Sequence, residues 1–599
     1  MATATAVPKV KIAGGSWLLE ERNPSDVFTP EDFTEEHQQI AKTAEEFARQ
    51  EILPAIEKIE HKEYQVTRDL LKKASEIGIA NIDVPEQYGG SDMDKVSSAI
   101  VADRIAVCAS FSTSFGGHAG IGTLPIVYFG TPEQKAKYLP KLASGEWVGA
   151  YALSESTSGS DAMNARTKAV LSPDKKHYIL NGEKMWITNA NFADLYVVFA
   201  KIDGEKFSAF IVERTFPGFS VGAEEKKMGI RGSSTAPLIL NDCKVPVENL
   251  LGEIGKGHVI AFNILNIGRF KLGAGCVGGA RYSLANAIGY AKQRKAFNKS
   301  IAEFGLIKEK LADIAVGTYV GEAMSYRTIG MIDVALSEID KNAADAATQM
   351  RKGIEDYAVE CSILKVWGSE MIDKVVDEVV QIYGGYGFVE EYPAERAYRD
   401  ARVNRIFEGT NEINRMITTG WMLKQAMSGK LALMPAIKKL MDEVLAGPST
   451  ADPLEGALAA ERTLVINAKK IALFVAGAAS QKYMMALPDQ QEIMGAMADI
   501  LIETFAMESA VLRTQKLVST NGEGSAKLAT AMTNVYLNDS FNKLEACAKK
   551  VIAAIAEGDM LRTQMAILRR LAKHEPVNVI ALRQQIADRM LEAGKYVTA

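Results

Sequence analysis

Cysteine is scarce in this chain: Cys108, Cys243, Cys276, Cys361 and Cys547 lie scattered over 599 residues with no CxxC pair. That pattern excludes a zinc knuckle and a secreted disulfide framework. Histidine is equally sparse, six residues with no HExxH spacing, and no metal is expected. No apolar run approaches the ~20 residues needed to cross a bilayer. The longest, IALFVAGAA at 471–479, is far too short. The opening MATATAVPKVKIAGG has no signal-peptide core, so a cytoplasmic enzyme is the expectation. A net charge of only −5 gives no general attraction to nucleic acid or anionic lipid. No GxGxxG stands in a βαβ context, so no Rossmann domain is expected, and no short-period repeat points to a solenoid.

What is present is an ordinary globular composition, 47% hydrophobic and 24% charged. The chain is too long for one hydrophobic core. Residues 1–28 are set apart as an N-terminal tail. Over 29–147 apolar residues recur at helical spacing, as in FTEEHQQIAKTAEEFARQEILPAIEKIE, and Thr131-Pro132 reads as an N-cap followed by the first helical residue. Over 148–256 strand-like runs such as DLYVVFAKID and FSAFIVE alternate with turn residues, and Asn181-Gly182 and Asp203-Gly204 read as hairpin turns. Helical periodicity returns over 257–428, with long segments at 257–294, 302–335, 339–379 and 411–428, enough for a four-helix bundle. Residues 429–599 are helical again, with breaks expected at 447–453, 487–490 and 519–525. A second helical domain and an elongated arm both fit this extension. The fold class is mostly α with a central β domain, and that order alone fixes no function.

Chemistry-bearing residues are densest in QIYGGYGFVEEYPAERAYRDARVNRIFEGTNEINR, 381–415. Gly384, Gly385 and Gly387 permit positive φ and close approach of a ligand. Glu408-Gly409-Thr410 then puts a carboxylate at a break before another helix, whose first N–H groups suit a phosphate or a developing oxyanion. On residue types alone a capped helix–turn–helix with a solvated Glu is the plainer reading. Other distinctive stretches are YALSESTSGSDAMNARTKA (151–169), MWITNA (185–190), KMGIRGSSTAPLILNDCKVPVENLLGEIGKGH (227–258) and ILNIGRFKLGAGCVGGARYSLANAIGYAKQRKAFNKSIAEFGLI (264–307).

Together these stretches, from about residue 35 to 428, resemble the acyl-CoA dehydrogenase family. The resemblance implies an N-terminal helical domain, a β-barrel-like middle domain and a four-helix bundle, here with an extra C-terminal helical domain. It implies FAD-dependent α,β-dehydrogenation of an acyl-CoA thioester, with Glu408 as the base that takes the α-proton and its main-chain N–H polarising the thioester oxygen. It assigns Tyr151, Leu153, Ser154, Ser160, Trp186, Thr188, Arg294, Phe297, Gln381, Gly384, Gly385, Thr410 and Glu412 to the cofactor. Among these, Trp186 would pack near the flavin ring, Thr188 would hydrogen-bond to it, and Arg294 would pair with the pyrophosphate across a subunit boundary. Ser160, Arg269 and Gly409 are assigned to the substrate. This chain departs from the family pattern at Ser154 (usually Thr), Ser156 (usually Pro), Asn298 (often Gly) and Phe304-Gly305 (often Gln). Some members carry the base immediately before the residue matching Arg269; here that position is Gly268, which leaves Glu408 as the base. Arg231 and Ser234 receive no catalytic role.

The resemblance further implies fatty acid β-oxidation and an electron-transferring flavoprotein as acceptor. SFGGHAGIGTLP (114–125) aligns with the helix closing the acyl pocket. Gly116 and Gly117 there leave a deep pocket or serve helix packing, two readings of nearly equal weight. The extension is similar to that of the very-long-chain subgroup, so a long acyl substrate and a homodimer are expected. Peripheral membrane contact through 461–479 and 492–517 competes with plain core burial. An acyl-CoA oxidase on the same scaffold, and a flavin-bearing assembly protein with vestigial activity, are the alternatives. A nucleic-acid-associated relative would need a basic C-terminal domain, which is absent.

Overall fold

The computed structural model describes residues 10–340, 346–446 and 454–599. The break expected at 447–453, and part of the segment 339–379, lie outside the described residues. Helices come first: α1 (Glu35–Phe47), α2 (Leu53–Glu60), α3 (Tyr64–Glu76), α4 (Lys95–Arg104), α5 (Ala109–Phe115), α6 (Leu124–Phe129) and α7 (Pro132–Ala143), with a wide turn at Gly116–Gly122 joining α5 to α6. At α7 the Thr131 hydroxyl accepts the Gln134 N–H and Pro132 takes the first helical position, as its sequence predicts.

An eight-stranded sheet follows: β1 (Gly149–Ala152), β2 (Lys168–Leu171), β3 (His177–Thr188), β4 (Leu195–Ile202), β5 (Lys206–Glu213), β6 (Phe219–Val221), β7 (Thr235–Pro246) and β8 (Leu250–Leu251). Its order is β6-β7-β3-β2-β4-β5-β8, with β1 parallel to β4. Asp203 and Gly204 both take positive φ (54° and 79°) in the turn between β4 and β5, which the Glu205 N–H closes on the Ile202 carbonyl (3.1 Å). Asn181-Gly182 is not a turn. It lies inside β3 at a register shift against β7, where a Cβ on Gly182 would stand 2.5 Å from Thr167 Oγ1. The glycine serves a bulge and a close approach, needs that a turn glycine also meets.

The bundle is built from α8 (Gly257–Gln293), α9 (Gly305–Ser337), α10 (Ala346–Glu355), α11 (Ala358–Tyr383), α12 (Pro393–Ala401) and α13 (Asn411–Met427), with a small hairpin of β9 (Lys295–Ala296) and β10 (Lys299–Ser300) after α8. Helices α8, α9, α11 and α13 are its four long members. The expected segment 339–379 is two helices, not one, because the chain entering from the N-terminus crosses the break. Tyr357 donates its hydroxyl to the Ile12 carbonyl (2.7 Å), and Gly14 packs so closely on the Asp356 carbonyl that a Cβ has no room.

Residues 10–28, set apart by sequence as a tail, are thus a packed strap. Trp17 is fully buried edge-on against Phe505 (5.0 Å), and Gly15 N–H donates to Glu360 Oε1 (2.7 Å). The C-terminal helices α14 (Leu433–Ala446), α15 (Ala459–Tyr483), α16 (Gln491–Ser525), α17 (Lys527–Ile555), α18 (Gly558–Leu571) and α19 (Val579–Ala593) form a second helical domain seated on α9 and α13, not an extended arm. The seam is charged and buried: Arg513 bonds Glu31 and Glu322 (both 2.8 Å), and Arg327 bonds Glu508 (2.6 Å). The break expected at 519–525 is a kink within α16, where Gly522 has φ 79° and ψ 159°. The stretch Ala459–Asp489 is long and apolar enough to cross a membrane by length and composition, but half of its most apolar window is buried. Removing the strap's anchor by Trp17→Ala should lower the unfolding free energy by about 3–5 kcal/mol, read from denaturant midpoints. A loss below about 1 kcal/mol would contradict the strap's structural role.

Candidate active site

The candidate base sits where the chain reverses between two helices. Tyr392-Pro393 starts α12, a 3₁₀ turn continues it over Arg402–Arg405, and Thr410 caps α13 by accepting the Ile413 N–H. Between them Glu408 (φ 57°) and Gly409 (φ 80°) are both left-handed. A glutamate pays for such a backbone unless its surroundings hold it there. Asn414 Nδ2 donates to the carbonyls of Glu408 (3.3 Å), Gly409 (2.9 Å) and Thr410 (3.0 Å). Arg269 Nε donates to the Glu408 carbonyl (3.2 Å), and Nη1 to Asn266 Oδ1 (2.8 Å). Arg269, expected at the substrate, therefore stands buried behind the turn, and Gly409, also expected there, packs against Arg269 and Asn414.

With its main chain so held, the Glu408 side chain faces α8. The helix offers Gly268 there: a Cβ would lie 2.5 Å from Glu408 Oε2. That Oε2 is buried and has no hydrogen-bond partner. Burial pushes the Glu408 pKa up to about 7, against the opposing pull of the Arg269 and Lys365 charges. The carboxylate lies in the wall of a cavity of about 280 Å³. Every third or fourth residue of α8 from Ile264 to Asn286 lines it, facing α4, α5, α11 and α12. The two glycines of the α5–α6 turn divide the readings made of them. A Cβ on Gly116 would meet nothing, whereas one on Gly117 would press on Thr188 Cγ2 at 2.9 Å.

Thr188 lines the same cavity as Glu408, and Tyr151, whose buried hydroxyl has no partner, feels the Glu408 charge. Trp186 sits at a second register shift of β3 with φ 58°, which leaves the indole 56% exposed. The Ser154 carbonyl accepts the Met185 N–H (2.9 Å), tying Leu153 and Ser154 to β3. Ser160 is exposed on the following loop, while Thr410 and Glu412 open α13 beside the base. The remaining cofactor candidates gather at the other end of the bundle. Arg294 lies 5.6 Å from the Tyr386 ring, and Phe297, at the β9–β10 tip, is 89% exposed. Gln381 is exposed near the end of α11, where Gly384 has φ 59° and neither Gly384 nor Gly385 has anything within 4 Å of an added Cβ. The 26 residues of α8 chain from Gly268 to Arg294 separate the two groups by ~39 Å.

Models of the acyl-CoA dehydrogenase N-terminal, middle and C-terminal domains match residues 34–146, 150–243 and 255–423, and a further acyl-CoA dehydrogenase C-terminal domain model matches 467–570. A probable acyl-CoA dehydrogenase of Bacillus subtilis (strain 168) is 50% identical over 583 residues, 97% of this chain and 98% of that protein. The chain belongs to the acyl-CoA dehydrogenase family. The crystal structure of an acyl-CoA dehydrogenase complexed with FAD from Bacillus anthracis matches with a TM-score of 0.96 at 51% identity, covering 98% of this chain and all 100% of that one. The very long-chain specific mitochondrial acyl-CoA dehydrogenase of Rattus norvegicus is 35% identical over 483 residues, 76% of this chain and 71% of that protein.

Sequence reasoning passed over several residues that this acyl-CoA dehydrogenase uses to hold its site. Lys184, wholly buried, donates to the Leu153 carbonyl (3.2 Å) and to Glu155 (2.7 Å). Glu155 in turn accepts from the N–H of Arg166 (2.5 Å) and Thr167 (3.1 Å), so the loop is pinned although Ser156 replaces proline. Asn414 and Asn266 were missed as well. Asn411 and Asn414, three apart at the start of α13, were the available signal: short amides there turn back onto a preceding loop. Lys271, in the cavity wall, is held by Asp83 (2.7 Å). The contact between α8 and Glu408 gives a sharp test. Gly268→Ala should leave the fold and flavin content intact but displace the carboxylate, slowing flavin reduction by acyl-CoA roughly 10- to 100-fold. A wild-type rate in that variant would show that the carboxylate need not lie against α8.

Proposed function

We propose that this acyl-CoA dehydrogenase oxidises long-chain acyl-CoA thioesters to trans-2-enoyl-CoA in fatty acid β-oxidation, with Glu408 as the α-proton base. The observation that carries the proposal is the unpartnered Glu408 carboxylate in the wall of a largely apolar cavity. An α-hydrogen beside a thioester is weakly acidic, and a solvated carboxylate is too weak a base for it. Burial strengthens the base, and a pKa near 7 matches it to neutral pH. The Glu408 main-chain N–H is bonded to none of the described residues, so it is available to the thioester oxygen. A preorganised donor of that kind is typically worth about 3–4 kcal/mol in the transition state. Thr188 and Gly117, packed together, form another part of the cavity wall, and Gly268 keeps the approach to the base open.

FAD is the cofactor, and it supplies the two-electron oxidant when bound. The residues present fit it. Thr188 lines the cavity that holds the base and Trp186 offers an exposed indole two residues before it; Tyr151, Leu153, Ser154, Ser160, Thr410 and Glu412 are the further proposed contacts. Arg294, with its fixed fork of donors, suits a pyrophosphate, and Gly384 and Gly385 leave their backbone open to close approach. The ~39 Å between these groups exceeds one extended dinucleotide, so each cofactor would take its two halves from different chains. Exposed Phe297 and Phe388 give a second copy an apolar surface to cover, in support of a homodimer. An electron-transferring flavoprotein is the proposed acceptor, and the cytoplasm the proposed compartment.

Long chains are favoured by the cavity's course. It follows α8 from Gly268 to Asn286, ~27 Å by helical rise, room for an extended chain of roughly 20 carbons. Adding acyl-CoAs anaerobically and following bleaching of the flavin band tests both parts. Wild type should bleach with C16 acyl-CoA faster than with C4, while Glu408→Gln should bind FAD and acyl-CoA but fail to bleach. Wild-type bleaching by the variant would remove Glu408 as base, and a preference for C4 would remove the chain-length reading.

A further inference from the structure

Lys365 lies on α11, wholly buried, with Nζ 2.7 Å from Asn411 Oδ1. Asn411 opens α13, three residues past Glu408, and its amide donates to Ser369 Oγ (3.0 Å) and Glu370 Oε1 (3.1 Å). An ammonium carries three protons, and among the described residues this one shares a single hydrogen bond. Such a charge is costly to bury unless an anion compensates it. The groups that face it are known from every side. Burial lowers the Lys365 pKa to about 8; Glu408 is the anion that most opposes this, with smaller help from Cys276 on α8 and Glu412 on α13, while Arg269 acts against it as a like charge. Glu408 itself is faced by Arg269, Lys365 and the Tyr151 hydroxyl. The two lone groups, a buried ammonium and a buried carboxylate, thus answer one another across the start of α13.

Resting on the assignment of Glu408 as base, we infer that Lys365 is a positioning residue for the reaction: it ties α13 to α11 through Asn411, and its ammonium helps to hold Glu408 in the ionised form that accepts the α-proton. Arg269 exerts the larger pull on the Glu408 charge while bonding the Glu408 carbonyl and Asn266, and Lys365 adds a second cation from α11. A lysine that served packing only would, when replaced, lower activity equally at every pH. A lysine that sets the charge of the base would move the pH at which activity appears.

The test compares wild type, Lys365→Met and Lys365→Arg as FAD-loaded enzymes. It follows anaerobic flavin reduction by C16 acyl-CoA from about pH 6 to about pH 9, with flavin content read by absorbance. Removing the positive charge raises the pKa of Glu408, so the base ionises later as pH rises. Lys365→Met should keep FAD, lose about fivefold in rate at pH 7, and recover most of it near pH 9, its midpoint raised by about one unit. Lys365→Arg should keep the wild-type midpoint. An unmoved midpoint in Lys365→Met, or a loss equal at all pH values, overturns the inference. Should Lys365→Met fail to fold, Asn411→Asp keeps the size and sets an anion on the ammonium; the same upward shift is expected, and an unmoved midpoint again overturns the inference. Glu408→Gln in the same assay separates the two layers. Wild-type reduction by that variant sinks the base assignment itself, whereas an inert Glu408→Gln beside an unmoved Lys365→Met sinks only the role of Lys365.

Discussion

Two consecutive left-handed residues, Glu408 and Gly409, set the geometry on which the site depends. The glycine adopts that conformation freely, but the glutamate does not, at a cost of order 1–3 kcal/mol met by the surrounding structure. Asn414 gathers the three carbonyls of the turn and Arg269 takes the first of them again. The main chain is thereby fixed, and the side chain reaches across to α8 at Gly268. Gly268 is the complement to this arrangement. On a helix where a side chain would fill the gap, its absence lets the carboxylate come close, and the carboxylate then sits in apolar surroundings with no partner of its own.

That placement would fail on a soft scaffold. Helix α8 runs for 37 residues, passing the base at Gly268 and ending at its cap Arg294, so one rigid element carries the acyl cavity along its length and the second cofactor group at its end. Helices α9, α11 and α13, which face it or back it, are held on their outer side. The strap threads Trp17 and Gly15 between the bundle and the C-terminal domain, and Arg513 and Arg327 fasten α16 to α9 through buried carboxylates. Breaking one partner of such a pair leaves a buried charge uncompensated, which is destabilising by several kcal/mol even where the intact pair gains little. The extension and the strap therefore bear on the site through the rigidity of the helices, not through contact with it.

Much of this could be read from the sequence where local chemistry suffices. Asp203-Gly204 was readable as a turn because both residues had to take positive φ, and Thr131-Pro132 because capping is a local affair. The long helices announced themselves by period. Glu408 was different: residue types alone favoured a solvated glutamate, and only the family resemblance singled it out. What the sequence could not carry was separation. Lys184 and Glu155, Lys365 and Asn411, and Gly268 and Glu408 meet only in the fold, and no spacing rule connects them. Asn181-Gly182 misled because a bulge and a turn ask for the same glycine. The strap was passed over because a short irregular segment shows no period, however deeply its one tryptophan is buried.

A single carboxylate, Glu408, performs the proton step in this mechanism, and that step can be isolated. Enzyme whose flavin has been reduced beforehand under anaerobic conditions cannot accept further electrons. Exchange of the acyl-CoA α-hydrogen with deuterium from solvent then reports proton transfer alone. Wild-type enzyme should exchange at a rate that rises with pH through about 7 and then levels, as Glu408 loses its proton. Glu408→Gln, still binding FAD and acyl-CoA, should exchange more slowly by about 100-fold or more. Exchange in that variant at the wild-type rate would show that another group takes the α-proton and would contradict the account at its centre.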